Sequence, residues 1–131
     1  MTHIESKTAQ VNKPAEKLYH ELLDFRNFNK VMPDSVTKFE ADEDSFVFAM
    51  KGMPEVQMRL EEKREPEYIR LRSGSKSKID FALMAHINAT SEDTCEVKFE
   101  FTGKFNAMLR MMVEKPLKNF IENLADKVKD I

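Results

Sequence analysis

The feature that most constrains the fold is a change in the spacing of apolar residues at Asn106. From Val36 to Phe105, apolar and polar residues alternate in short runs, which is the pattern of half-buried β-strands. After Asn106, apolar residues recur every three or four positions almost to the end of the chain, which is typical of one long amphipathic helix. We therefore predict an α+β domain in which a long C-terminal helix lies across a curved antiparallel sheet.

The first third of the chain predicts one more strand and two short helices. Residues Ile4 to Val11 alternate as a strand does. The run Asn12 to Pro14 starts a helix, because Asn caps helices and Pro is tolerated in a first helical turn. A second short helix begins at Asp24 and ends at Pro33. The predicted order is strand, two helices, six strands and long helix, about seven strands in all, and residues 1–131 form one domain.

A proline divides the predicted C-terminal helix. Pro116 removes a backbone hydrogen bond and clashes with the preceding turn, so we expect a kink there. Met108, Met111 and Met112 come just before it, and methionine suits adaptable apolar surfaces. We expect this methionine turn to be a mobile cover over the mouth of a cavity between sheet and helix. The regular apolar spacing after Pro116 predicts an anchor.

This order of elements resembles the START-like superfamily, also called SRPBCC, which includes birch-pollen-allergen-like helix-grip proteins, lipid-transfer domains and polyketide cyclase-like proteins. Residues 12–19 resemble its entry into the first helix, with the pattern Pro-Ala-Glu-x-hydrophobic. Residues 23–28 resemble its second helix, with Asp-Phe-x-Asn, and residues 113–125 resemble its C-terminal helix. The resemblance covers essentially the whole chain and implies a helix-grip fold. It leaves the function open, because such proteins include carriers, enzymes and partner-binding modules.

Composition excludes several functions. The formal net charge is -2 and the sequence pI is about 6.0, which disfavours nucleic-acid binding. With 3 glycines a phosphate-binding loop is not expected, and a single cysteine, Cys95, precludes an internal disulfide and predicts an inert core thiol. No apolar run approaches the roughly 20 residues of a membrane span, so we predict no integral membrane association. We predict a cytoplasmic protein, because there is no signal-peptide pattern and no disulfide framework.

The methionine content points to binding of an apolar molecule. The chain has 9 methionines, and several of them are predicted to line a cavity between sheet and helix, although an ordinary soft core would also use them. We predict non-catalytic binding or transport of a small hydrophobic or amphipathic molecule. An interior solidly filled by side chains would argue against it. The predicted ligand-binding residues are Phe25, Phe28, Met32, Phe48, Met58, Leu71, Phe81, Leu83, Phe99, Phe101, Met108, Leu109 and Met112.

Catalysis and metal binding have little support in the sequence. His3, His20 and His86 are dispersed along the chain, so we predict no metal site and no cofactor. His20 follows Glu16 by four residues, which permits a local pair. No Ser lies in a Gly-x-Ser-x-Gly turn, and the carboxylates fall in turns or on outward phases of strands. We therefore assign no catalytic residue.

Two other functions stay open. A polyketide cyclase- or dehydratase-like enzyme would need an inward ionisable group, and a protein-interaction module would need a filled core with an exposed apolar patch.

The basic stretch Arg70–Lys78 is either a site for an anionic group or a solvated hairpin. Ala82 and Met84, on the outer phase of their strand, leave open whether the protein is a monomer or a homodimer.

Overall fold

An eight-stranded antiparallel sheet and a C-terminal helix of 21 residues form the fold, in a computed structural model that describes residues 2–30, 32, 36–51, 55–74 and 80–130. The predicted fold class is confirmed. The elements are β1 (Thr2–Glu5), β2 (Ala9–Val11), α1 (Ala15–Leu23), a 3₁₀ segment (Phe25–Lys30), β3 (Val36–Ala41), β4 (Ser45–Met50), β5 (Val56–Arg64), β6 (Tyr68–Ser73), β7 (Phe81–Ala89), β8 (Cys95–Gly103), α2 (Ala107–Lys127) and a final 3₁₀ turn (Val128–Asp130).

The strands follow the order β1-β8-β7-β6-β5-β4-β3, and β2 also pairs with β8. The prediction of a single first strand was wrong, because this strand is divided at Ser6. Between the pairs Glu5–Glu100 and Ala9–Val97 the chain advances four residues on one side and three on the other, so one residue is extra. The Ser6 hydroxyl accepts a 2.9 Å hydrogen bond from the Phe99 amide. Where the strand bulges, this side-chain bond thus accompanies a 2.9 Å backbone bond from the Ser6 amide to the Phe99 carbonyl.

The inner face of the sheet carries the core. Along β8, buried Val97, Phe99 and Phe101 alternate with half-exposed charged residues, as predicted. In the first half of β7 the outer face is buried as well: Met84 is 5% exposed, and an Arg70 guanidinium nitrogen lies 3.6 Å from its sulfur. Ala82 is also buried, so these two residues offer no open apolar surface for a dimer.

The helical segments before the sheet cover part of its inner face. Pro14, not Asn12, occupies the cap position of α1, without a side-chain capping bond, and the predicted second helix is the 3₁₀ segment. Leu18 and Leu22 of α1 are buried. The predicted helix end at Pro33 lies outside the described residues.

The long helix α2 begins at Asn106, whose side chain accepts a 2.8 Å hydrogen bond from the Leu109 amide. It runs unbroken through Pro116, so the predicted kink stays a prediction. Its buried residues begin at Val113, and the stretch from Val113 onward therefore anchors it to the sheet. None of the helices in the described ranges combines the length and apolar composition needed to span a bilayer.

Candidate ligand-binding site

Ten of the thirteen predicted site residues are brought together in one buried core. They come from the 3₁₀ segment, from Met32 two residues after it and from five strands, and none is more than 8% exposed. They are Phe25, Phe28, Met32, Phe48, Met58, Leu71, Phe81, Leu83, Phe99 and Phe101. For the seven residues on strands, alternation predicted the inward face, because the period of two fixes which face each residue occupies. Their role as a ligand site stays a prediction.

A chain of phenylalanine rings fills the space between the sheet and its helices. Phe28 stacks on Phe46 with ring centres 5.1 Å apart, and Phe48 stacks on Phe120 of α2 at 4.9 Å. Phe101 lies 5.8 Å from Phe120. Phe46 and Phe120 were missed as site residues, although Phe46 shares the strand phase of Phe48 and Phe120 follows Leu117 at helical spacing. The rings leave little free volume under α2.

A small apolar cavity lies between the sheet and the α1 side of the molecule. Its volume is about 10 Å³, at the lower limit for one water molecule. All seven of its side chains are hydrocarbons, and four of them belong to the predicted set. They are Leu22, Phe28, Ile69, Leu71, Leu83, Ala85 and Phe99. The cavity is therefore dry, and a ligand could enter only if the surrounding side chains moved apart.

The methionines of α2 lie elsewhere. Met108 is 75% exposed, Met111 85% and Met112 49%, whereas Leu109 packs against the edge of the core. A helix turns by about 100° per residue, which places Met108 and Met111 roughly 140–160° away from the direction of buried Val113. In this structure Met108 and Met112 do not line the interior.

The described interior is neutral. Its buried polar residues are Thr2, Ser6 and Ser45, and none of them ionises in the physiological range. Cys95 is fully buried as predicted, and burial raises the pKa of its thiol. Burial also raises the pKa of Tyr19, with a further contribution from the charge of Glu65. Among the described residues, the core contains no buried carboxylate, histidine or lysine.

The outer face of the sheet brings together groups that are distant in the sequence. His3 contacts one carboxylate oxygen of Glu100, and His86 lies 3.1 Å from the other. Burial tends to raise the pKa of Glu100, but its hydrogen bonds to His86 and His3 outweigh that effect and hold it below the ordinary value. His3, Glu5 and Glu100 could together reach one metal ion, but Lys98 already pairs with Glu5 at 2.9 Å. We read the cluster as an ion-pair network.

Other predicted polar sites are also paired. His20 lies 3.1 Å from Glu65 rather than contacting Glu16. In the basic stretch, Arg70 pairs with Glu61 at 2.7 Å, and Arg72 lies 3.4 Å from Asp80. Lys76 and Lys78 lie outside the described residues. The described half of that stretch is therefore largely neutralised by its neighbours.

Comparison with solved structures places this geometry in a known fold. A START superfamily protein from Mycobacterium smegmatis superposes with a TM-score of 0.67 at 12% sequence identity, over 98% of this chain and 94% of that one. A conserved protein from Geobacillus kaustophilus gives 0.70 at 10% identity, over 98% and 93%. The di-domain ARO/CYC BexL from the BE-7585A biosynthetic pathway gives 0.67 at 12% identity, over 98% of this chain and 47% of that one.

No family model matches the sequence, and no curated protein matches it. The chain therefore has the START-like helix-grip fold, as its sequence predicted, and at these identities the likeness concerns the fold alone.

Proposed function

We propose that this START-like chain is a non-catalytic binding protein for a small hydrophobic or amphipathic molecule, held between the sheet and the helices that cover it. The apolar cavity beside Leu83 and Phe99 carries the proposal, because all of its described lining is hydrocarbon. Ligand sites are mostly apolar with a few orienting polar groups. The described core holds no buried carboxylate, imidazole or amine, and this favours binding over catalysis.

The volume of the cavity sets a condition on this function. A space of about 10 Å³ cannot hold a ligand, and a core this well filled argues against binding unless the covering layer moves outward. Phe28 lies in this layer and lines the cavity from the 3₁₀ segment. Opening this side would leave the contact of Phe120 with Phe48 in place.

The other two functions have weaker support. A cyclase-like enzyme, the activity named for one structural neighbour, would need an ionisable group in the pocket. A protein-interaction module fits the filled core, but three exposed methionines on one helix are a small surface for a stable complex. The cytoplasmic location remains a prediction from the sequence.

Ala85 and Ala82 offer a matched test on one strand. Both are buried, but Ala85 lines the cavity and Ala82 faces the outer side of the sheet. Ala85→Leu fills the cavity, so binding of a fluorescent fatty acid should weaken by about tenfold or more. Ala82→Leu adds the same group on the outer face of the sheet and should leave the affinity for the fatty acid unchanged. Circular dichroism must show that both variants are folded.

Native mass spectrometry of the protein purified from its own host would show whether a small molecule co-purifies with it. A co-purifying small molecule that is lost from Ala85→Leu would support the proposal. A wild-type protein that binds neither a native molecule nor the fatty acid would overturn it, as would equal weakening by both folded variants.

A further inference from the structure

The large hydrophobic residues that stand exposed in the described chain are three methionines at the start of α2. Met108, Met111 and Met112 are 75%, 85% and 49% exposed. They lie within one and a half turns, so they form one patch rather than scattered surface residues. Clustered exposed apolar side chains are uncommon on monomeric proteins and usually mark an interaction surface.

Helical geometry makes this patch a ridge. Taking Met108 as the origin and about 100° per residue, Met112 lies near 40°, Lys115 near 340° and Met111 near 300°. Buried Val113 lies near 140°, on the opposite side of the helix. The ridge therefore projects away from the fold and plays no part in holding α2 to the sheet.

The charges bordering the ridge are positive and unpaired. Lys104, Lys115 and Lys118 are exposed, and none of them has an ion-pair partner among the residues that the structure describes. Between residues 104 and 118 the one acidic side chain is Glu114, which pairs with Arg110 at 2.9 Å. This segment thus carries a charge of about +3, from four cations and one anion, in a chain whose net charge is -2.

The outward face of α2 changes character further along. Glu122 accepts a 3.0 Å hydrogen bond from the Lys7 amide, and Asp126 contacts the Lys7 ammonium group. These two acidic groups therefore tie that part of the helix to Lys7, in the segment between β1 and β2. Exposed methionine and unpaired lysine therefore coincide at one end of the helix.

We propose that this ridge, formed by the exposed side chains of residues 104–118, docks the protein on an anionic lipid surface. The methionine side chains would enter the interfacial region, and the lysines would contact the phosphate groups. A helix that lies in a membrane interface needs an apolar face bordered by cations, and anionic lipids attract such a segment. A protein partner is less well matched, because a stable interface uses about 20–30 residues on each side and this surface is convex and narrow.

Vesicle flotation tests the proposal with the full chain. The wild-type protein should bind vesicles of an equimolar mixture of phosphatidylcholine and phosphatidylglycerol, should bind pure phosphatidylcholine much less, and should be released by salt. Met108→Ser with Met111→Ser should weaken binding by about tenfold or more, and Lys115→Glu with Lys118→Glu should do the same. These positions are exposed, so folding should be unaffected.

Two controls keep the result specific. Lys17→Glu with Lys63→Glu makes the same charge change at exposed positions on α1 and β5 and should leave binding close to wild type. Met108→Leu with Met111→Leu keeps the apolar character and should also bind. No binding by the wild type, or equal binding by all variants, would overturn the proposal, as would a ridge that binds a protein but no vesicle.

The proposal does not rest on binding in the interior. Ala85→Leu should leave vesicle binding unchanged, and the ridge variants should leave fatty-acid binding unchanged. The two proposals can therefore fail separately.

Discussion

The two halves of α2 share one backbone geometry and treat apolar side chains in opposite ways. After Pro116 the helix buries Leu117, Phe120 and Leu124 against the sheet, each at 0% exposure. Before Pro116, Val113 is buried as well, but the large apolar side chains of Met108 and Met111 face outward. The second half therefore contributes mainly to folding stability, and the first turns of the helix leave apolar surface available for an interaction. Periodicity alone does not separate these uses, because both halves contain apolar residues at helical spacing.

The largest expected difference between the halves is in stability. Phe120→Ala removes a fully buried ring that contacts Phe48 and Phe101, and we expect a loss of about 3–5 kcal/mol in the free energy of unfolding. Met111→Ala removes an exposed side chain and should change it by less than about 0.5 kcal/mol. Urea unfolding measures both. A cost above about 1 kcal/mol for Met111→Ala would mean that the first half also holds the fold together.

The proline between the halves provides the second test. Pro116 has no amide hydrogen for the fourth residue before it, Met112, so we expect Pro116→Ala to raise stability by about 1–2 kcal/mol. Amide hydrogen exchange should be faster before Pro116 than after it in the wild type and should slow in the variant. Equal exchange in both halves of the wild type would contradict the mobile cover predicted from the sequence.

The smallest expected effect concerns the ion pair between Lys7, which lies between β1 and β2, and Asp126 in the second half of α2. The hydrogen bond from Lys7 to Asp126 and the attraction between their charges raise the pKa of Lys7 above the ordinary value of 10.5. A raised pKa means that the protonated lysine stabilises the folded state. The contribution is fully present below pH 10.5 and is lost as the pH rises through the folded-state pKa.

Lys7→Met should therefore lower stability slightly at neutral pH, because the pair is exposed. The difference from wild type should stay constant in urea unfolding up to about pH 9 and shrink at more alkaline pH. A difference that grew with pH would have the wrong sign for this ion pair.

Most of the fold could be predicted because its signals are local. Alternation at Val97, Phe99 and Phe101 defined the inward face of β8, and the change of period at Asn106 defined the long helix. The division of the first strand could not be predicted, since it depends on the Ser6 hydroxyl meeting the Phe99 amide across the sheet. Strand pairing places such partners together, and sequence spacing does not reveal them.

The sequence predicted which strand residues face the interior, but it could not predict the volume of the cavity that they leave. Residues such as Leu71 and Leu83 follow from strand phase, whereas a volume of about 10 Å³ depends on how whole rings such as Phe46 settle against one another. The outward position of Met108 could have been found by counting its angle from Val113. The shared contact of His3 and His86 with Glu100 could not, because three strands of the folded sheet bring these residues together.

The single buried cysteine has a practical consequence. Cys95 lies between β2 and β7, opposite Val11 on one side and Ala89 on the other, and is 0% exposed. Alkylating reagents attack only an accessible thiolate, so the labelling rate of the unmodified protein counts openings of this part of the sheet. The labelling rate of Cys95 therefore reports how often the sheet opens around the start of β8. Movement confined to the methionine ridge would leave this rate unchanged.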